Sequence, residues 1–326
     1  MELINQMKEK ILSAKNVAVF GHTSVDGDCV GSICTMAMLM RELGKNVEVF
    51  VDSDIPHYLS FIPYCENINK TELNIENFDL IISADTATKS KLGKYGDIFC
   101  DFENSILIDH HLSNTNYAKL CYVEPKAPAC GQVIFNFLKK CDFDITPDMA
   151  SAMLGAIIAD TNNFTNSDVT NETFEVTANL VSLQADFDRI VYATQKQKTL
   201  NQVRVASFMA KNVKLKDEIA YLIVTQKDCK RLHCMFSDIS KFLTLIVDIS
   251  GAKITAIFKE KGKNLWSISF RSSLNYDVNA VASQFGGGGH INAAGCTTNG
   301  KLRELKKQVF AACKKQIEMC ERENAK

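Results

Sequence analysis

The sequence predicts an α/β protein: an N-terminal, mostly parallel sheet flanked by helices, and a smaller C-terminal α/β domain, joined by a helical linker. Three observations lead there. Short apolar runs alternate with helical stretches through the first half of the chain. Several of those runs end abruptly in acids or imidazoles, as strands do where ligands gather at the carboxyl edge of an open sheet. After about residue 212 the pattern changes to a hairpin of alternating residues, a glycine run and a charged terminal helix.

The elements follow in order. MELINQMKEKILSAKN reads as an amphipathic helix and not as a signal peptide. Val17–Phe20 is a strand running into Gly21-His22-Thr23-Ser24-Val25-Asp26-Gly27-Asp28. A helix is expected from about Cys29 to Leu43 with Gly44 as its C-cap, then a strand over Val47–Val51, a β-α-β order that implies a right-handed parallel crossover. Asp79–Asp85 and Ser105–Asp109 are two further strands, each ending in an acid. Helices are expected near Gly131–Cys141 and over Pro147–Ala159, the second with proline in its first turn, where a missing N–H costs nothing. Residues 171–212 read as helical, broken by the polar stretch Thr194–Thr199. The expected division is a catalytic domain over 1–190, a linker over 191–212 and a substrate-binding domain over 213–326. In the last part Ile219–Thr225 is a strand, Ile254–Phe258 and Leu265–Arg271 are a hairpin around Lys261-Gly262-Lys263-Asn264, a helix covers Val278–Gln284, and an amphipathic helix begins near Leu302.

Composition narrows the function classes. The 326 residues are 46% hydrophobic and 23% charged, with a net charge of -1, so nothing announces a partner in long duplex nucleic acid. Twelve cysteines are scattered without a CxxC pair, the usage of a cytoplasmic protein with reduced thiols. No apolar run reaches the roughly 18 residues of a membrane span, so no membrane association is expected.

The chemistry sits in His22, Asp26, Asp28, Asp85, Asp109, His110, His111 and Asp160, spread over separate segments that are each apolar up to the polar residue. On parallel strands their carboxyl ends share one edge and the groups converge. Carboxylates brought together without cations repel, and these motifs contain no lysine or arginine, so divalent ions are the natural counter-charge. A mixed carboxylate–imidazole set suits manganese or another hard-to-borderline ion, and two such ions suit in-line phosphoryl displacement. Asp26 and Asp28 alternate on an extended turn, so each is free to serve a different ion; Asp28 is equally placed to cap the following helix. Gly286–Gly289 permits positive φ and a nest of N–H groups for an anion, and Arg271 and His290 suit a phosphate or nucleotide.

His22-x-x-x-Asp26-x-Asp28-x-x-Gly31-Ser32, Asp85, Asp109-His110-His111 and Asp160 resemble the four motifs of the DHH phosphoesterases. Phe285-Gly286-Gly287-Gly288-Gly289-His290-x-x-Ala293-Ala294-Gly295 resembles the signature of the DHH-associated C-terminal domain. The chain is most similar to the short stand-alone branch of nanoRNases and 3′-phosphoadenosine-5′-phosphate phosphatases. The resemblance implies two divalent ions, manganese by expectation: His22, Asp26 and Asp85 hold one, and Asp28, Asp85, His110 and Asp160 hold the other, with Asp85 shared. It implies that His111 faces the scissile phosphate, that Asp109 orients the histidines, and that Arg271, Gly287, Gly288, Gly289 and His290 bind the nucleotide. The implied reaction is hydrolysis of short RNA oligonucleotides or small nucleotides by metal-activated water, and a homodimer is compatible with it. Two departures stand out: Val25 replaces a proline common before Asp26, and Thr165 stands where relatives often carry an arginine, which bears on substrate preference. The alternatives are a phosphodiesterase of cyclic di-AMP or pApA and a nucleotide sensor without turnover; the glycine run with His290, and Arg271, argue against an inorganic pyrophosphatase.

Overall fold

The computed structural model describes all residues except 1, 237–238, 240–241, 243, 248, 273–275, 290 and 325–326. The chain divides into two compact units, Met1–Gln197 and Lys198–Lys326.

The first unit is built on five parallel strands: β1 (Asn16–Phe20), β2 (Asn46–Phe50), β3 (Leu80–Ala84), β4 (Ser105–Asp109) and β5 (Leu120–Val123), in the order β2-β1-β3-β4-β5. Such a sheet must be covered on both faces, and its central strands β3 and β4 are accordingly buried at every position. Val17 and Val19 of β1 join Ile82, Ile106 and Ile108 in a core against the helices of one face. Ala18 and Phe20 point the other way, into a smaller cluster with Phe50, Phe78, Tyr95 and Phe99. Helix α1 (Glu2–Ser13) buries Ile4, Met7 and Ile11 in the larger core. Chain order reverses between β1 and β3, the switch point at which open sheets of this order leave a crevice.

Three helices carry site residues, and their backbones approach closely. Helix α2 (Gly27–Glu42) packs on α5 (Pro147–Asp160) through Gly31: a Cβ there would lie 2.5 Å from the Ala152 carbonyl oxygen and 2.8 Å from the Ala156 Cβ. Helix α4 (Cys130–Lys140) meets α5 in the same way, a Cβ on Gly131 lying 2.7 Å from the Ala156 Cβ. Gly31→Val is therefore expected to cost about 1–3 kcal/mol through overpacking; a lowered urea midpoint with an unchanged m-value is the readout.

The short α3 (Gly96–Asp101) follows β3, and α6 (Asn171–Ser182) and α7 (Phe187–Val191) complete the unit. The stretch read as helical over 171–212 is thus three helices, since α8 (Leu200–Asn212) starts anew behind a Thr199–Gln202 capping box and belongs to the second unit. The helix expected from Cys29 begins at Gly27, because Asp26 and not Asp28 is its cap: Asp26 Oδ1 accepts the Cys29 amide at 3.0 Å. Asp28 consequently sits inside the first helical turn rather than on an extended turn.

The second unit is a mixed sheet in the order β10-β11-β9-β8-β7-β6. Strands β6 (Lys214–Lys216), β7 (Ile219–Val224), β8 (Ile254–Gly262) and β9 (Leu265–Ser272) are followed by β10 (Gly288–Gly289) and β11 (Ala293–Asn299), and only β7 and β8 pair in parallel. The hairpin is longer than its apolar alternation suggested: Gly262 pairs with Leu265, leaving Lys263-Asn264 as the turn, with Asn264 at φ +58°. One face carries Val205 and Met209 of α8 against Leu222, Val224 and Ile257, alongside α9 (Gln226–Leu232) and α10 (Thr244–Val247). The other carries α11 (Val278–Ser283) and α12 (Leu302–Asn324) against Phe258, Ile268 and Phe270. No described helix is long and apolar enough to cross a membrane, and all twelve cysteines are free thiols.

Candidate metal centre

The switch point gathers the acids and imidazoles. Beyond β1 comes His22, beyond β3 comes Asp85, and β4 delivers Asp109, His110 and His111. Helix α2 contributes Asp28 with its cap Asp26, and α5 ends on Asp160. His22 Nε2 lies 3.3 Å from Asp85 Oδ2 and 3.8 Å from Asp26 Oδ1. His110 Nε2 lies 3.4 Å from Asp160 Oδ2, 3.6 Å from Asp85 Oδ1 and 3.8 Å from Asp28 Oδ2. Asp85 thus turns one oxygen to each imidazole.

Each side chain is held from behind. His110 Nδ1 donates to the Ala127 carbonyl at 3.1 Å, which leaves Nε2 with a lone pair aimed at three carboxylates. Asp28 accepts from the backbone N–H groups of Cys130 at 2.6 Å and Gly131 at 2.9 Å, in the first turn of α4, and from Ser32 Oγ at 3.2 Å. His111 Nδ1 donates to Asp109 Oδ1 at 2.8 Å, and the other Asp109 oxygen accepts from Asn114 Nδ2. Asp109 is wholly buried, so its charge is spent on that imidazole and that amide. Asp85 adopts φ +57°, a left-handed conformation that costs a non-glycine residue energy and is held here by the surrounding structure.

The electrostatics are those of a site built for cations. Burial pushes the Asp28 carboxyl up to about 7, aided by the charge of Asp26. Burial and the charge of Asp28 do the same to Asp160, also to about 7. Asp85 is raised well above the carboxylate range by burial and then by the charges of Asp28, Asp26, Asp109 and Asp160. Burial lowers His22, while the hydrogen bond to Asp109 raises His111. Among the described residues, His22 Nδ1 and Asp85 Oδ1 are buried polar atoms without a hydrogen-bond partner. Donor groups compact enough to hold an ion are Asp28–His110–Asp160, Asp85–His110–His111 and His22–Cys29–Asp85, the atoms of each within 4.8 Å of one another. Carboxylate and imidazole donors, raised carboxyls and orphaned buried atoms together fit divalent metal ions.

Sequence reasoning missed several neighbours. Cys29 is a donor within reach of His22 and Asp85. Lys91 brings a positive charge that depresses His22, and its carbonyl accepts the Thr23 amide at 2.8 Å. Asn114, three residues past the histidine pair, was within reach of a motif reading as an amide beside a buried acid. The Ala127 carbonyl and the amides of Cys130 and Gly131 had no signature, being backbone groups remote in sequence from what they hold.

In the second unit, Arg271 lies on β9, half-buried, with Nη1 donating to the Phe270 carbonyl at 2.8 Å; burial lowers its guanidinium from its usual value. Lys259 shares its face of the sheet and is lowered by burial and by the charges of Lys261 and Arg271. The glycine run is partly a strand: Gly288 and Gly289 pair with Gly295 and Ala294. A Cβ on Gly287 would meet the Gly295 carbonyl oxygen at 2.2 Å, so that glycine answers a demand for close backbone approach. His290 lies outside the described residues.

Comparison with known proteins bears on the family and the fold. Residues 16–157 match the DHH family, N-terminal domain, and residues 234–315 match the DHHA1 domain. The bifunctional oligoribonuclease and PAP phosphatase NrnA of Mycoplasma genitalium is 28% identical over 322 residues, covering 97% of each chain. The cyclic-di-AMP phosphodiesterase PdeA of Listeria monocytogenes is 23% identical over 329 residues, covering 94% of this chain and 48% of that one. The crystal structure of an exopolyphosphatase-related protein from Bacteroides fragilis superposes with a TM-score of 0.87 at 21% identity, over 96% of both chains, and shares the fold. The chain thus pairs a DHH-family N-terminal domain with a DHHA1 domain.

Proposed function

We propose that the protein is a manganese-dependent phosphoesterase that hydrolyses short oligoribonucleotides and 3′-phosphoadenosine-5′-phosphate. The observation that carries this reading is Asp85, a buried carboxylate between His22 on one side and His110 on the other. His22, Asp26 and Asp85 would hold one ion, and Asp28, Asp85, His110 and Asp160 the second. Bound there, the ions supply Lewis acidity that offsets the phosphate's charge and acidifies water. The chain's own groups do the rest. Asp109 keeps a proton on His111 Nδ1 and favours the imidazolium, so His111 is fitted to donate from Nε2 to a phosphate oxygen. The α4 amides keep Asp28 oriented without neutralising it. Arg271, with Gly287, Gly288, Gly289 and His290, would recognise the terminal phosphate or nucleotide, and Lys259 adds positive charge on the Arg271 face. The similarity to NrnA over nearly the whole chain supports this substrate class.

A second reading, hydrolysis of cyclic di-AMP or pApA, draws on the similarity to PdeA. One panel separates the two: manganese-dependent turnover of di- to pentanucleotides, 3′-phosphoadenosine-5′-phosphate, pApA, cyclic di-AMP and pyrophosphate. Short RNAs and 3′-phosphoadenosine-5′-phosphate are expected to lead; preferential cleavage of cyclic di-AMP would favour the second reading. In the same panel, Arg271→Ala is expected to raise KM for phosphorylated dinucleotides by about 10-fold or more, the scale of a lost charged hydrogen-bond partner, and to leave a generic small phosphodiester nearly unaffected. Equal losses on both would contradict the role given to Arg271.

A further inference from the structure

Cys29 stands among the donors on the β1 side of the centre without a role in the reaction described above. Its sulfur, a ring nitrogen of His22 and a carboxylate oxygen of Asp85 lie within 4.8 Å of one another. All three residues are buried, at 0%, 8% and 2% exposure. His22 also contributes an orphaned buried atom, its Nδ1. The thiol's own contact is weak, 4.0 Å to the His22 carbonyl oxygen. Its place is nevertheless fixed: the Cys29 amide donates to Asp26, and a Cβ on Gly21 would come within 2.7 Å of the sulfur, so the glycine there leaves the sulfur its room. Cys130, the other buried cysteine of the site, is differently engaged, its thiol donating to the Ile108 carbonyl at 3.3 Å.

Sulfur changes what such a group selects. Carboxylates and water suit magnesium and manganese, whereas thiolate with imidazole suits zinc and its heavier congener cadmium. Thiolate sulfur, imidazole nitrogen and carboxylate oxygen are each zinc donors, and three protein ligands leave the fourth position of the ion open. We infer that the His22–Cys29–Asp85 side of the centre takes up thiophilic divalent ions, zinc or cadmium, in competition with the harder ion of the hydrolase. Uptake forms a sulfur–metal bond and breaks the S–H bond, the proton leaving to solvent, with no change of oxidation state. The identity of the bound ion, and with it the state of the enzyme, then follows the relative supply of thiophilic and hard ions. This rests on reading the cluster as a metal centre.

Cadmium-113 NMR of the full-length, metal-stripped protein tests it. One equivalent of cadmium is expected to give a resonance shifted downfield, as sulfur ligation requires, that disappears when excess manganese displaces it. Cys29→Ser is expected to lose that resonance and to lower the preference for cadmium over manganese by at least about 10-fold, as changes around a metal site commonly do. Should Cys29→Ser fold poorly, proton release from the wild-type protein decides: cadmium uptake frees one more proton than manganese uptake at the same site. A resonance typical of nitrogen and oxygen ligands alone, a downfield resonance untouched by manganese, or equal proton release overturns the inference and leaves the metal centre standing. Failure to bind either ion overturns both.

Discussion

Replacing Asp85 with asparagine is expected to reduce manganese-dependent hydrolysis by more than about 100-fold, since even residues behind a metal's ligands commonly cost 10–100-fold. Asp85 stands between the two halves of the centre, with Oδ2 toward His22 and Oδ1 toward His110 and His111. The substitution keeps the shape and removes the charge. It also relieves a carboxyl that burial and four neighbouring acids push well above its usual range. The metal-free Asp85→Asn protein is therefore expected to be at least as stable as the wild type at neutral pH. Loss of activity with equal or higher stability distinguishes a functional residue from a structural one. Near-normal turnover would remove the shared-ligand arrangement.

The second large effect is on stability, and its sign is opposite to that of the ion-paired carboxylates whose protonation drives acid unfolding. Asp28 and Asp160 are raised in the folded protein to about 7 from a usual 3.8, and Asp85 is raised as well. Between those limits the folded chain binds more protons than the unfolded chain, so the stability of metal-free protein falls as pH rises from about 4 to about 7. Below that window the carboxyls are protonated in both states and the penalty vanishes. Divalent ions reverse the trend, because they bind the ionised carboxylates of the folded form only. Urea midpoints of chelator-treated protein are expected to be lower near pH 7.5 than near pH 5.5, with added manganese restoring more stability at the higher pH. A midpoint that rises with pH in the absence of metal would contradict the electrostatics of the site.

The framework was legible because its signals are local. Apolar runs that stop at an acid or an imidazole mark β1, β3 and β4, and the same runs placed His22, Asp85 and the Asp109–His111 triplet at one edge. Four strands escaped for physical reasons: Lys214–Lys216, Gly288–Gly289 and Leu120–Val123 are too short to show alternation, and Ala293–Asn299 is made of small and polar residues that pack by close approach rather than by bulk. The sequence offered Asp28 as the helix cap and the cap is Asp26, since either carboxylate can accept an amide at a helix start. Packing decides it, because Asp28 is claimed by the α4 amides more than 100 residues away. Cys29 looked like one more buried thiol, and only the fold shows which imidazole and carboxylate it faces.

The central claim is that one cluster, made by β1, β3, β4, α2 and α5, holds two ions that share Asp85. Counting manganese bound per chain at equilibrium near pH 7.5, where the carboxylates are ionised, tests it most directly. The account predicts two ions per wild-type chain and a loss at both positions in Asp85→Asn. A single ion per wild-type chain, or two ions undisturbed by the loss of Asp85, would contradict it.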